Sequence, residues 1–191
     1  MKAVYIEQHG GPQALTYGDR PNPEVAPGQV MLRVRASALN HLDLNLRAGL
    51  TYKGSLPRIM GCDIAGEIAA ISPDAKTDLQ VGDRVILNNR VTCGVCEHCQ
   101  MGWDQNCANT KRLGVDLDGG HAEYITAPSV NTHKIPDSMS MTEAAALLGG
   151  AWLVGTSSDD RRGLTRAALG GALFGVAVLC RETSVLALAA L

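Results

Sequence analysis

Four cysteines within fifteen residues constrain this chain more than any other feature of its sequence. They are Cys93, Cys96, Cys99 and Cys107, separated by two, two and seven residues. Sulfurs so close in sequence can converge on one ion, and tetrahedral zinc is the metal that best fits four thiolates. Four protein ligands fill the coordination shell and leave no place for water or substrate, so the spacing predicts a structural zinc site.

Three other interpretations of these cysteines stay open. An iron–sulfur cluster favours a run that closes with three residues, a cysteine and a proline, but Ala108 follows Cys107 here. Disulfides need an oxidising compartment, and the sequence from Met1 shows no secretory signal, which predicts a cytoplasmic location. Four unrelated free cysteines are the simplest case. His98 lies among the thiols and is predicted to be a solvated loop residue, because the shell is full without it.

Short apolar segments separated by glycine and proline predict a mainly β domain with short helices. Residues Gln29–Ala38 alternate apolar and polar side chains, as expected for a half-buried strand. Further strands are predicted at 1–8, 15–17, 61–72, 81–87, 119–125 and 130–135. Helices are predicted at 40–47, ending before Gly49, and at 142–148, opened by a capping box of Ser140 and Glu143. Only 4% of residues are aromatic and 21 are glycine, which favours a turn-rich, partly open β-barrel.

Five motifs together resemble the N-terminal, GroES-like domain of the medium-chain dehydrogenase/reductase family, the zinc-containing alcohol dehydrogenases and their quinone-reductase relatives. They are the cysteine cluster, Leu39–Asp43, Gly61–Gly66, Val81–Val85 and Gly119–Tyr124. The resemblance covers residues 1–148. It implies a zinc-binding lobe at 90–110, and it matches the four cysteines to the family's structural zinc ligands. It further implies an NAD(P)-dependent oxidoreductase that transfers hydride to or from a small molecule, with a separate Rossmann domain for the cofactor and homo-oligomers at full length.

The same resemblance puts a catalytic zinc in doubt. Members with that metal supply a cysteine, a histidine and a second cysteine, where this chain has Asn40, Cys62 and a position near Gly149. Leu42 stands where a serine or threonine relays the alcohol proton. A neutral amide is a poor zinc ligand, and a catalytic zinc needs three protein ligands. The resemblance therefore favours a reductase of quinones or activated double bonds; an alcohol dehydrogenase with zinc at Cys62 and Asp63 stays as an alternative.

Four residues are candidates for catalysis: Asn40, Asp43, Cys62 and Asp63. Asn40 can hydrogen-bond a substrate carbonyl or the nicotinamide, or it can cap the helix that follows it. Asp43 is expected to organise its surroundings, with proton transfer as the alternative. Cys62 can be a reactive thiol or a small buried apolar residue. Asp63 replaces the outer glutamate of the family.

The remainder of the chain is expected to be a linker at 149–162 and an apolar helical tail at 163–191, foreign to the fold. No dinucleotide fingerprint Gly-x-Gly-x-x-Gly follows residue 160. No cofactor-binding residues are therefore assigned, and the chain is expected to be inactive alone. The tail is interpreted as foreign or frame-shifted sequence; a membrane anchor and a soluble helix that covers the barrel are the alternatives. For the function of the chain, a non-enzymatic, zinc-stabilised fragment stays open as an alternative to the enzyme. The net charge of −2 gives no support to nucleic-acid binding.

Overall fold

A computed structural model describes residues 1–50 and 55–147. The expected linker and apolar tail therefore lie outside the described residues. The strands are β1 Lys2–Ile6, β2 Leu15–Asp19, β3 Gln29–Ala38, β4 Arg58–Ile59, β5 Asp63–Ile71, β6 Arg84–Leu87, β7 Arg90–Val91, β8 Lys111–Arg112, β9 Tyr124–Pro128 and β10 Thr132–Lys134. The helices are α1 His41–Ala48 and α2 Glu97–Gln100, and residues 141–147 are also helical. Within this part of the chain, no helix is both long and apolar enough to span a bilayer.

The main sheet has five antiparallel strands in the order β10-β6-β5-β3-β9. Alternate residues of its strands point to one side and form the largest apolar cluster, which includes Val30, Leu32, Ile64 and Val85, each fully buried. A second sheet, in the order β2-β1-β4, packs its own apolar residues against α1. The prediction of a mainly β domain with short helices is confirmed, and the two sheets are consistent with a partly open barrel.

Local sequence signals place the first helix accurately. Asn40 caps α1, because its side-chain oxygen accepts a hydrogen bond from the Leu42 amide and Asp43 bonds back to the Asn40 amide. Gly49 ends the helix in the left-handed conformation, with φ of 74°. Leu46, 1% exposed, packs the inner face of α1 against a cluster that includes Ile6 and Met60. These contacts define both ends of α1 and pack its inner face against the second sheet.

The capping box before the last described helix is also present. The Ser140 hydroxyl accepts from the Glu143 amide at 3.2 Å, and the Glu143 carboxylate accepts from the Ser140 amide at 2.8 Å. The described part of this helix is 141–147. The two-residue strands β4, β7 and β8 were not predicted, since segments so short carry no periodic pattern.

Candidate metal lobe and cleft

The four lobe cysteines converge on one point. Their sulfur atoms all lie within 4.8 Å of one another. The individual Sγ–Sγ distances are 3.5 Å for Cys96 and Cys99, 3.6 Å for Cys93 and Cys107, and 4.0 Å for Cys93 and Cys99. A tetrahedral ion with Zn–S bonds of about 2.3 Å places its sulfurs about 3.8 Å apart. The donor set and its spacing therefore fit a four-thiolate zinc site.

Without a cation among them, these thiols differ in how readily they ionise. Backbone amides at Val95 and Cys96 lower the pKa of Cys93 to about 6, because they donate hydrogen bonds to its sulfur. Burial and the neighbouring Cys96 raise the pKa of Cys99 to about 12. Thiolates this close repel one another, so four of them need a divalent cation among them.

The lobe that carries the cysteines has almost no apolar core of its own. Between residues 92 and 110 only Cys107 is buried, and α2 buries nothing. Val95 and Trp103 are 75% and 52% exposed. His98 is half-buried, its ring stacked on Trp103 at 6.4 Å between centroids, so the prediction of a solvated loop histidine is wrong. The lobe joins the barrel through the short β7–β8 ladder.

A cleft of about 510 Å³ opens between the beginning of α1, the start of β5 and the end of β6. Three of the four catalytic candidates line it, and Asp43 lies buried beside them. The lining residues are Asn40, His41, Leu42, Asn45, Cys62, Asp63, Leu87, Asn88 and Asn89. The lining therefore combines four asparagine amides and one imidazole with two leucines, the Cys62 thiol and the Asp63 carboxyl group.

Asp43 organises the floor of this cleft. Its side chain is 2% exposed, and its two carboxylate oxygens accept from the amides of Asn40 and Gly61, each at 2.9 Å. Asn40 itself lines the cleft, and Gly61 is the residue before Cys62, which also lines it. One carboxylate thus ties the beginning of α1 to the turn that enters β5.

Asn40 and Asp63 bond directly to each other. The Asn40 amide nitrogen donates to the Asp63 carboxylate at 2.8 Å, while its oxygen caps α1. Burial raises the pKa of Asp63 to about 6; the charge of Asp43 adds to this, and the Asn40 hydrogen bond opposes it. Asp63 is therefore partly protonated near neutral pH.

Cys62 is a buried thiol rather than an exposed nucleophile. Its side chain is 1% exposed. Burial raises its pKa far above the ordinary thiol range, and the charges of Asp43 and Asp63 raise it further. A thiol in this state stays protonated at physiological pH, so the structure favours the apolar, space-filling role.

One residue beside this cleft, His121, was not predicted from the sequence. It is 4% exposed, with Nδ1 3.0 Å from the Ser37 hydroxyl and Nε2 3.8 Å from the Asp43 carboxylate. Burial lowers its pKa, so the ring is neutral. The motif Gly119–Tyr124 contains this histidine, but nothing in the motif indicates contact with a residue 78 positions away.

Both a family match and curated relatives relate this chain to alcohol dehydrogenases. Residues 26–137 match the family described as the alcohol dehydrogenase GroES-like domain. An alcohol dehydrogenase from Geobacillus stearothermophilus is 36% identical over 77% of this chain and 43% of its own length. The chain spans about two fifths of the length of the curated relatives it matches.

Solved structures show the same likeness. A crystal structure of an NAD-dependent alcohol dehydrogenase has a TM-score of 0.75 at 36% identity, over 81% of this chain and 46% of that one. A cobalt- and zinc-bound thermostable alcohol dehydrogenase from Pyrobaculum aerophilum has a TM-score of 0.73 at 32% identity, over 81% and 47%.

Proposed function

Because this chain belongs to the family of alcohol dehydrogenase GroES-like domains, we propose that it is the substrate-side domain of an NAD(P)-dependent oxidoreductase. The domain comprises residues 1–148 and holds one structural zinc. Its substrate is a small carbonyl compound or alcohol, a quinone or an activated double bond. A nicotinamide cofactor supplies the hydride, and relatives described as NAD-dependent alcohol dehydrogenases support that part of the proposal.

The structural zinc is proposed for Cys93, Cys96, Cys99 and Cys107. The observation that carries this assignment is that all four sulfurs lie within 4.8 Å of one another and that three pairs lie at 3.5–4.0 Å, close to the edge of a zinc–thiolate tetrahedron. A relative solved with cobalt and zinc supports it. With four protein ligands the ion has no open position, so its role is to hold the lobe together.

A catalytic zinc is not part of the proposal, because the side chains that would hold it are bonded to one another. Asn40 donates to Asp63 and caps α1, and Cys62 stays a neutral thiol. The cleft instead offers hydrogen-bond donors. The Asn40 amide group has two hydrogens, and the one not given to Asp63 can bind a substrate oxygen. Asn40 would then position the substrate, while Asp43 and Asp63 maintain the shape of the cleft.

The metal content of the purified full chain tests this proposal. We expect one zinc per chain after removal of loosely bound metal, because among residues 1–50 and 55–147 only the lobe has four converging thiols. Two zinc ions per chain, the second lost on Asp63→Asn, would contradict it and favour the alternative of an alcohol dehydrogenase with zinc at Cys62 and Asp63. Zinc-free, folded protein would contradict both versions.

A further inference from the structure

We propose that His121 is a positioning residue of the cleft, which holds Asp43 in place and through it the side chains of Asn40 and Asp63. The inference rests on the proposed function of the cleft, because it assigns a role in shaping that site. His121 itself is buried and does not line the cavity.

Backbone hydrogen bonds fix His121 tightly behind the turn that enters β5. The His121 amide donates to the Met60 carbonyl at 2.9 Å, and the Gly120 amide donates to the Gly61 carbonyl at 2.8 Å. On the other side, the His121 carbonyl accepts from the Val4 amide at 2.7 Å. The backbone at His121 is therefore bonded to β1 on one side and to the turn between β4 and β5 on the other.

The ring lies against Gly61 so closely that no side chain fits between them. A Cβ atom on Gly61 would come within 2.6 Å of His121 Nδ1, and Gly61 has a φ of +98°. This contact places the imidazole directly behind the residue that precedes Cys62. A side chain of different volume at position 121 would therefore displace the turn that leads into Cys62 and Asp63.

The polar atoms of the ring connect two more elements. Ser37, at the end of β3, can donate its hydroxyl hydrogen to Nδ1, which leaves the ring proton on Nε2. Nε2 then faces the Asp43 carboxylate at 3.8 Å, and it has no hydrogen-bond partner among the described residues. This proton is attracted to the carboxylate across 3.8 Å, in addition to the two amide hydrogen bonds that Asp43 accepts, and we infer that it helps to hold Asp43 in place.

The chain of contacts then reaches the cleft in two steps. Asp43 accepts from the amides of Asn40 and Gly61, and Asn40 donates its side-chain amide to Asp63. Release of Asp43 would loosen the beginning of α1 and weaken the hydrogen bond from Asn40 to Asp63. Because that bond lowers the pKa of Asp63, its loss should raise this pKa.

The test compares two amide substitutions of His121 in the full, zinc-loaded chain. His121→Asn can reproduce the Nδ1 contact with Ser37 but is too short to reach Asp43, whereas His121→Gln can reach Asp43. The readout is the pKa of Asp63, measured from its carboxyl carbon by NMR. We expect His121→Asn to raise it about as much as Asn40→Ala does, and His121→Gln to leave it near the wild-type value.

Two further variants make the result decisive. Asn40→Ala combined with His121→Asn should raise the pKa of Asp63 no more than Asn40→Ala alone, since both act through one hydrogen bond. His133 is an exposed histidine on β10, and His133→Gln should leave the pKa of Asp63 unchanged.

Equal pKa values of Asp63 in His121→Asn and wild type, or equal effects of the two amide substitutions, would overturn the inference. If His121→Asn fails to fold, Asp43→Asn is compared with Asp43→Asn combined with Asn40→Ala, so that the lost charge of Asp43 is common to both. Equal pKa values of Asp63 in these two variants would support the inference, and a higher value in the double variant would overturn it. The zinc count does not involve His121, so either proposal can fail without the other.

Discussion

Replacement of Cys107 by serine is expected to remove the zinc and unfold the lobe while the barrel stays folded. Cys107 is the most buried of the four ligands, at 6% exposed, and its sulfur lies 3.6 Å from that of Cys93. Serine is a poor zinc ligand beside three thiolates. We expect zinc affinity to fall by about a hundredfold or more, since loss of an outer partner of a ligand already costs about 10- to 100-fold.

The local character of this effect follows from how the lobe is built. Residues 92–110 bury only Cys107, so apolar burial cannot compensate the conformational entropy of ordering them. The barrel, in contrast, has its own core on the five-stranded sheet. The lobe and barrel are joined by β7 and β8 and by the Arg90 guanidinium, which donates to the Gln105 carbonyl at 3.0 Å. The unfolding that follows loss of the metal should therefore extend little beyond β8.

Metal analysis and amide hydrogen exchange measure this outcome. Cys107→Ser should hold little zinc in the presence of a competing chelator and should lose exchange protection at residues 93–107. Amides of β3 and β5 should keep theirs. Cys62→Ser is the matched control, because Cys62 is equally buried but lies outside the lobe, and it should retain the metal. Full zinc occupancy in Cys107→Ser, or uniform loss of protection across the barrel, would contradict the role given to the cluster.

The parts of the fold that could be predicted are those coded by neighbours in the sequence. The bounds of β3 follow from alternation over Gln29–Ala38, and the ends of α1 follow from Asn40 and Gly49. The convergence of the four sulfurs is likewise local, because the spacing of the cysteines restricts how far apart they can lie. These features need no knowledge of the tertiary structure.

The interior of the cleft could not be predicted in the same way. Asn40, Asp43 and Asp63 were recognised by resemblance, but their mutual hydrogen bonds depend on how α1 meets β5. The contact between Ser37 and His121 joins residues 84 positions apart. The pKa of Asp63 arises chiefly from burial, which is a property of the packed domain and not of the motif Gly61–Gly66.

Replacement of Asp63 by asparagine is expected to stabilise the chain at neutral pH. Asp63 is 4% exposed, and burial raises its pKa from 3.8 to about 6. The folded state therefore binds a proton more readily than the unfolded state, and stability falls as pH rises from about 4 through 6. The difference between 3.8 and about 6 corresponds to about 3 kcal/mol, which Asp63→Asn should largely recover at pH 7. Asparagine retains an oxygen that can accept from Asn40, so the hydrogen bond survives.

The pH dependence of this gain separates it from ordinary effects of substitution. Urea unfolding of both proteins should give a stability difference near its maximum at pH 7 that disappears below about pH 4, where Asp63 is protonated in both states. Asp74→Asn, at an exposed carboxylate, serves as the control and should show no such profile. A less stable Asp63→Asn protein at pH 7 would contradict the expectation.

Added zinc that stabilises the wild type but not Asp63→Asn would show that the carboxylate binds metal, because a ligand that binds only the folded state raises stability. If Asp63 binds no metal, both proteins should respond to added zinc in the same way.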